Sequence, residues 1–146
     1  MKKFVFKYAP LLKKREHLEN EIKLQLAEVY TKRNVISAKL DALEVQMVGL
    51  YRQLESPGLR QIAELKFFDF SIRQITDARI ELEAKLEQLG KEELIIKEKL
   101  AIAHREKRML EVLREKKLEV YEEEARKEEM KLLDEIAVTR TLMNAP

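Results

Sequence analysis

The sequence predicts an all-α protein, an antiparallel two-helix coiled-coil hairpin with a C-terminal helical overhang. Of its 146 residues, 38% are charged and 6% are aromatic, and there are only three glycines and three prolines. Turns are therefore scarce, whereas a hydrophobic content of 45% is enough for a continuous apolar seam. Apolar residues three and four apart fill two long segments, which a single Pro-Gly break separates.

The first helix is predicted over about residues 8–55. Pro10 suits the first helical turn, where its missing amide hydrogen is not needed. Ahead of it, Phe4, Phe6 and Tyr8 alternate like a strand, but one short strand has nothing to pair with. The helix should therefore begin near Tyr8.

The seam of the first helix consists of residues that recur at steps of three and four. After Ile36 the steps alternate without exception, which is the heptad pattern of a coiled coil. Two successive steps of four, from Leu18 to Leu26, predict a stutter that relaxes the supercoil locally. The predicted seam is Leu11, Arg15, Leu18, Ile22, Leu26, Val29, Arg33, Ile36, Leu40, Leu43, Met47, Leu50 and Leu54.

A break at about residues 56–58 is predicted to reverse the chain. Pro57 cannot continue the helical hydrogen bonds and disfavours helical geometry at Ser56, while Gly58 permits the reversal. A short helical step over residues 59–66 is expected to follow.

The second long helix is predicted over about residues 67–142. Gly90 lies inside it, but one helical glycine costs only about 1 kcal/mol relative to alanine, so the helix should continue. The predicted seam is Leu65, Phe68, Ile72, Ile75, Arg79, Leu82, Leu86, Leu89, Glu93, Ile96, Leu100 and Ala103.

The unequal helix lengths predict the overhang. If the chain reverses near Pro57, Tyr8 lies opposite a residue between about 107 and 114. Everything after roughly Arg108 then lacks an intramolecular partner, and its charged residues and narrow apolar seam suit a helix that binds another protein. We expect residues 1–146 to form a single coiled-coil domain.

The charge pattern and motifs exclude several classes of function. Twenty-nine bases and 27 acids are interleaved, so no one-sided basic face is available for nucleic acid. There is no cysteine and no Gly-rich phosphate loop, and His17 and His104 lie in different helices. We expect no catalytic residue, no metal site and no cofactor. Uncharged runs fall far short of the roughly twenty residues that span a bilayer, so no direct membrane insertion is expected.

Aromatic residues cluster beside the predicted turn, at Tyr51, Phe67, Phe68 and Phe70. The three phenylalanines spread around much of a helix circumference, so at least one should be exposed. Two interpretations stay open: a local plug that seals the end of the hairpin, or a surface patch that binds a partner.

Two groups of residues resemble a known family. The N-terminal group is Phe4-x-Phe6-x-x-x-x-Leu11-Leu12-x-x-Arg15-Glu16-x-x-Glu19. The C-terminal group comprises residues 105–116, Tyr121, Glu124, Arg126, Glu128, Lys131, residues 133–137 and Arg140. On these residues the chain resembles the flagellar type III export protein FliJ family and, more distantly, the stalk proteins of virulence type III secretion.

The resemblance implies a fold like the antiparallel coiled coil of the rotary ATPase gamma subunit. It also implies a non-enzymatic central stalk and coupling component of the flagellar type III export apparatus. Such a protein binds the hexameric flagellar export ATPase, promotes its assembly, and links it to the export gate membrane protein and to substrate-specific export chaperones. The implied location is cytoplasmic, peripheral at the inner face of the cell membrane at the flagellar base.

Candidate binding residues lie in the overhang and near the turn. The overhang offers apolar side chains and charges that could dock on the ATPase: Leu113, Arg114, Tyr121, Arg126, Asp134, Glu135 and Arg140. By resemblance, the export-gate surface lies near the turn and includes Tyr51 and Phe70. The alternatives are a virulence-system stalk protein and a generic coiled-coil chaperone or structural protein.

Overall fold

The structure is a computed structural model that describes residues 2–56, 58 and 61–144. Helix α1 spans Ala9–Glu55 and helix α2 spans Ile62–Met143. Within the described ranges the chain contains no β-strand. The predicted all-α class with two long helices is confirmed.

The connection between the helices is short. The residues described in it are Ser56, Gly58 and Gln61. Gly58 has a φ of 151°, a backbone conformation that residues with a Cβ rarely adopt. Pro57 and residues 59 and 60 lie outside the described residues, so the predicted reversal and the start of the predicted short step are not described. The rest of that step, from Ile62, is the beginning of α2, which continues without a break.

The chain divides into two compact units. Unit 1 consists of Met1–Asn20 and Ala101–Pro146, and unit 2 consists of Glu21–Leu100. Each unit contains one segment of α1 and one of α2. The single coiled-coil domain stays a prediction.

The two helical segments of unit 2 run antiparallel. Arg33 pairs with Glu93, and further along α1 Ile36 shares a groove with Leu82 and Leu43 shares one with Ile75, so the facing residue of α2 moves backward as α1 advances. Gln53 and Ser71 line another groove together. Phe67 lines this groove too, so the residues of α2 that face the end of α1 lie further along the chain than a symmetric reversal at Pro57 predicts.

The observed seam of α1 corrects the predicted stutter. Leu11 and Leu18 are each 39% exposed, whereas Glu19 is 3% exposed and Leu12 is half-buried. Counting from Leu12, the shielded positions alternate steps of three and four without a stutter. The prediction failed because it chose the apolar neighbour at each ambiguous step, whereas charged partners on α2 allow Glu19 to be buried. The observed seam is Leu12, Arg15, Glu19, Ile22, Leu26, Val29, Arg33, Ile36, Leu40, Leu43, Met47, Leu50 and Leu54.

The seam of α2 follows the prediction with two exceptions. Phe68, Leu89 and Ala103 are buried, and α2 continues through Gly90. Leu65 and Arg79 are exposed instead. Leu65 lies in the first turn of α2, and the Arg79 guanidinium pairs instead with Glu83 on its own helix, 3.0 Å away.

Candidate functional site

Residues 2–8, which we call the clasp, precede α1 and contact α2 within unit 1. Phe6 is buried, with 6% of its surface exposed. The Tyr121 hydroxyl donates a hydrogen bond of 2.5 Å to the Lys2 carbonyl oxygen. The ring centroids of Phe4 and Tyr121 are 5.5 Å apart. One polar and one aromatic contact therefore fix the start of the chain to α2.

Two cations of α2 lie over aromatic rings of the clasp. The Arg114 guanidinium carbon is 6.0 Å from the centroid of the Phe4 ring, and Lys117 Nζ is 5.9 Å from that of the Tyr8 ring. A cation at this distance gains about 0.5 to 1 kcal/mol at an exposed site. The clasp thus engages Arg114 and Tyr121, two of the residues predicted to bind the ATPase.

These contacts correct the predicted start of the overhang. Tyr8 faces Lys117, outside the predicted range of about 107 to 114, and the clasp reaches Tyr121. The estimate assumed a symmetric reversal and assigned no partner to the residues before Tyr8. The unpartnered part of α2 is therefore shorter than predicted. We call residues 122–143 the free arm; all of them except Ala125 are exposed.

A buried carboxylate lies next to the clasp in unit 1. The Glu19 side chain is 4% exposed, and its Oε2 is 2.8 Å from Lys107 Nζ. His104 Nδ1 is 3.4 Å from the other carboxylate oxygen. The hydrogen bond to Glu19 raises the pKa of Lys107 above its ordinary value of 10.5. Arg15 and Glu106 form a more exposed ion pair of 2.6 Å between α1 and α2.

Unit 2 contains a second buried carboxylate. The Glu93 side chain, 11% exposed, pairs with Arg33 of α1 and lies 2.9 Å from Lys97 Nζ. The hydrogen bond from Lys97 is the main reason that the pKa of Glu93 lies below its ordinary value of 4.5, and Arg33 and Tyr30 lower it further. Both buried carboxylates thus have a cationic partner on the opposite helix.

The predicted ATPase-binding residues fall into two groups. Leu113 and Tyr121 are half-buried, and Arg114 lies over a clasp ring. The other four are exposed on the free arm: Arg126, Asp134, Glu135 and Arg140. Their side chains form no ion pair with any other residue that the structure describes. Their role in binding stays a prediction.

The aromatic residues near the turn also separate into two groups. Phe68 is buried, with 7% of its surface exposed, and it packs edge-on against Phe67 at 6.4 Å. Phe67 is 63% exposed and Phe70 is 58% exposed, so the expected exposure of at least one phenylalanine is confirmed. Tyr51 is 50% exposed, and no ring contact joins it to Phe70. Export-gate binding by Tyr51 and Phe70 stays a prediction.

Sequence reasoning missed the buried ion pair of Glu19 and Lys107. A signal for it exists, because heptad positions counted backward from Leu40 fall on Arg33, Leu26, Glu19 and Leu12. A strict count therefore places Glu19 in the seam. The prediction instead assigned Leu18 to the seam because it is apolar.

Neither a metal site nor a membrane span stands out in the part of the chain that the structure describes. No three histidines or carboxylates there are arranged to hold a metal ion. Neither helix of this part contains a segment both long and apolar enough to cross a bilayer.

The fold and the free arm define a class, the two-helix coiled-coil proteins that leave a helical end available for a partner. Comparison with protein-family models matches residues 4–145 to the family described as "Flagellar FliJ protein". The chain belongs to the FliJ family and is therefore a flagellar export-related protein. Comparisons with curated proteins and with solved structures gave no match.

Proposed function

We propose that this protein is the non-enzymatic central stalk and coupling component of the flagellar export apparatus. In this role it binds the hexameric export ATPase, promotes its assembly, and links it to the export gate and to substrate-specific chaperones. The observation that carries the proposal is the free arm, which continues α2 for about six turns beyond Tyr121 and in which every residue except Ala125 is exposed.

The free arm gains more from docking than any other helical segment of the chain. Its helix depends on intrinsic propensity and local charge pairs, such as Lys127 with Glu123 at 3.7 Å, each contributing only a few tenths of a kcal/mol. Exposed apolar side chains accompany the charges, including Leu132 at 58% and Ile136 at 44%. Docking on an ATPase subunit buries this apolar surface, and the exposed charges then fix the register.

The clasp provides a firm base for the arm. The contact between Phe4 and Tyr121 packs the clasp against α2 at the residue directly before the arm. A partner that binds the arm is therefore connected to a part of α2 that is packed against the clasp. Because one chain cannot match a sixfold ring symmetrically, it contacts the subunits unequally, and its binding favours the assembled ring.

The aromatic residues near the turn support a second binding surface for the export gate. Tyr51 and Phe70 have half or more of their surface exposed, although aromatic side chains normally gain from burial. Aromatic residues are often hot spots of protein–protein interfaces, where they contribute much of the binding free energy. We assign the gate contact to this surface, formed by the end of α1 and the beginning of α2, and chaperone binding to the same protein. The proposed location is the cytoplasmic face of the membrane at the flagellar base.

The experiment that tests this function measures turnover of the purified export ATPase with added protein. The intact chain is expected to stimulate turnover. A chain that ends at Ala125 keeps the clasp and both buried ion pairs, so it should fold but leave turnover at its basal rate. A control in which Arg73, an exposed residue paired with Asp69, is changed to Ala should stimulate normally. Full stimulation by the truncated chain would remove the arm from the mechanism.

A further inference from the structure

A groove in unit 2 has an apolar floor and a basic rim. The floor consists of Val35, Ile36, Leu82 and Leu89. Val35 is 50% exposed, so apolar surface is accessible there. The charged residues that line the groove are all lysines: Lys32, Lys39 and Lys85.

The lysines leave positive charge available at the rim. Lys85 has a weak partner, Glu81, at 3.5 Å. Lys32 and Lys39 form no ion pair with any described residue. An apolar floor between cations suits an amphipathic helix whose apolar stripe is flanked by acids.

The free arm has this chemistry. Residues 122–143 carry seven acids against four bases. Ala125, Leu132, Ile136 and Met143 recur at steps of seven and four, so they share one face of α2. At 100° per residue, Glu128 and Glu129 lie roughly 50° to either side of that stripe.

We infer that the groove binds the free arm of a second copy of this chain. Leu132 and Ile136 cover the apolar floor, while Glu128 and Glu129, on opposite sides of the stripe, face the two sides of the groove, Lys32 and Lys39 on α1 and Lys85 on α2. Both surfaces are exposed in the single chain, and their charges are opposite. Apolar patches bordered by complementary charge are typical of protein interfaces.

The inference is independent of the proposed function, because self-association is measured without the ATPase. If the proposed function and this inference are both correct, an arm bound in the groove of a second copy cannot bind the ATPase ring. The groove variant described next should then stimulate the ATPase at least as well as the unmodified chain, whereas failure of the proposed function leaves the association measurement unaffected.

Sedimentation equilibrium over a range of concentrations tests the inference. The weight-average mass of the unmodified chain should rise with concentration, and the association constant should fall with added salt because it depends on exposed charges. Lys32→Glu with Lys39→Glu should weaken association at least tenfold. The control, Lys66→Glu with Lys91→Glu, makes the same charge change on exposed residues of α2 outside the groove and should associate like the unmodified chain.

Charge exchange gives the decisive comparison. Glu128→Lys with Glu129→Lys should also weaken association at least tenfold. The chain with all four groove and arm changes restores opposite charges on the α1 side of the groove and should recover part of the lost association. All these positions are exposed, and a helical circular dichroism spectrum checks that each variant is folded. A monomer at every concentration, or equal weakening by groove and control variants, would overturn the inference, as would a fourfold variant that stays as weak as the two doubles.

Discussion

Glu19 and Lys107 form an ion pair within the seam between α1 and α2, with 2.8 Å between Nζ and Oε2. The second such pair, Arg33 with Glu93, lies fourteen residues further along α1 and fourteen residues earlier along α2. Fourteen residues are two heptads, so both pairs occupy equivalent seam positions. The acid is on α1 in one pair and on α2 in the other. A shift of one heptad in either direction would place Glu93 against a leucine, Leu26 or Leu40, and would separate Glu19 from Lys107, so the pairs specify the register.

Removing one partner of the buried pair should therefore destabilise the protein. Lys107→Ala leaves the Glu19 carboxylate without its closest cation and should lower the free energy of unfolding by about 2 to 3 kcal/mol. The expected loss is smaller than for a fully buried ion pair because the Lys107 side chain is 19% exposed. Urea unfolding followed by circular dichroism measures the change.

The double variant Glu19→Leu with Lys107→Leu is the matched control. Replacing both charges with apolar residues is often neutral or stabilising, so its unfolding free energy should equal or exceed that of the unmodified chain. A Lys107→Ala chain as stable as the original would show that the pair does not hold the seam.

Acidic pH should weaken the ion pair of Arg33 and Glu93 before it affects the apolar contacts of the seam. Because the pKa of Glu93 is lowered in the folded chain, its contribution to stability is complete above the ordinary value of 4.5 and is lost as the pH falls below it. Glu93→Gln should therefore reduce the difference in urea midpoint between pH 7 and pH 3. An unchanged difference would assign the acid sensitivity to other carboxylates.

The clasp should contribute measurably to stability. Phe6→Ala removes a buried ring and should cost about 3 kcal/mol, the lower end of the range for a buried phenylalanine. Its neighbour Val5 is 82% exposed, so Val5→Ala should change the unfolding free energy by less than about 0.5 kcal/mol. Equal effects of the two changes would mean that the clasp is not packed in solution.

Heptad counting predicted most of the fold but not its charged contacts. The seam from Ile22 to Leu54, Arg33 included, follows from the alternating steps of three and four, and it was predicted correctly. Glu19 was missed because its burial depends on Lys107, which is far away in sequence. The clasp was missed because a strand-like pattern gives no sign of the helix it will contact. For the candidate site, the sequence predicted an exposed helical end but not that the clasp contacts Arg114 and Tyr121.

Among the aromatic residues near the turn, changes at the buried ring should affect stability and changes at the exposed rings should affect binding. Phe68→Ala removes a buried ring and should lower the melting temperature clearly. Tyr51→Ala and Phe70→Ala remove exposed rings and should change it little while weakening capture of the purified export-gate protein. A Phe70→Ala chain that binds the gate normally would take this residue out of the proposed surface.

The most direct test of the central claim, that the free arm engages the export ATPase, is site-specific photo-crosslinking on the intact protein. A crosslinker replacing Arg126 or Arg140 on the free arm should form an adduct with the ATPase in the assembled ring. The same group at Lys66, near the turn, should form none. Adducts to the ATPase from Lys66 but not from either arm position would contradict the account.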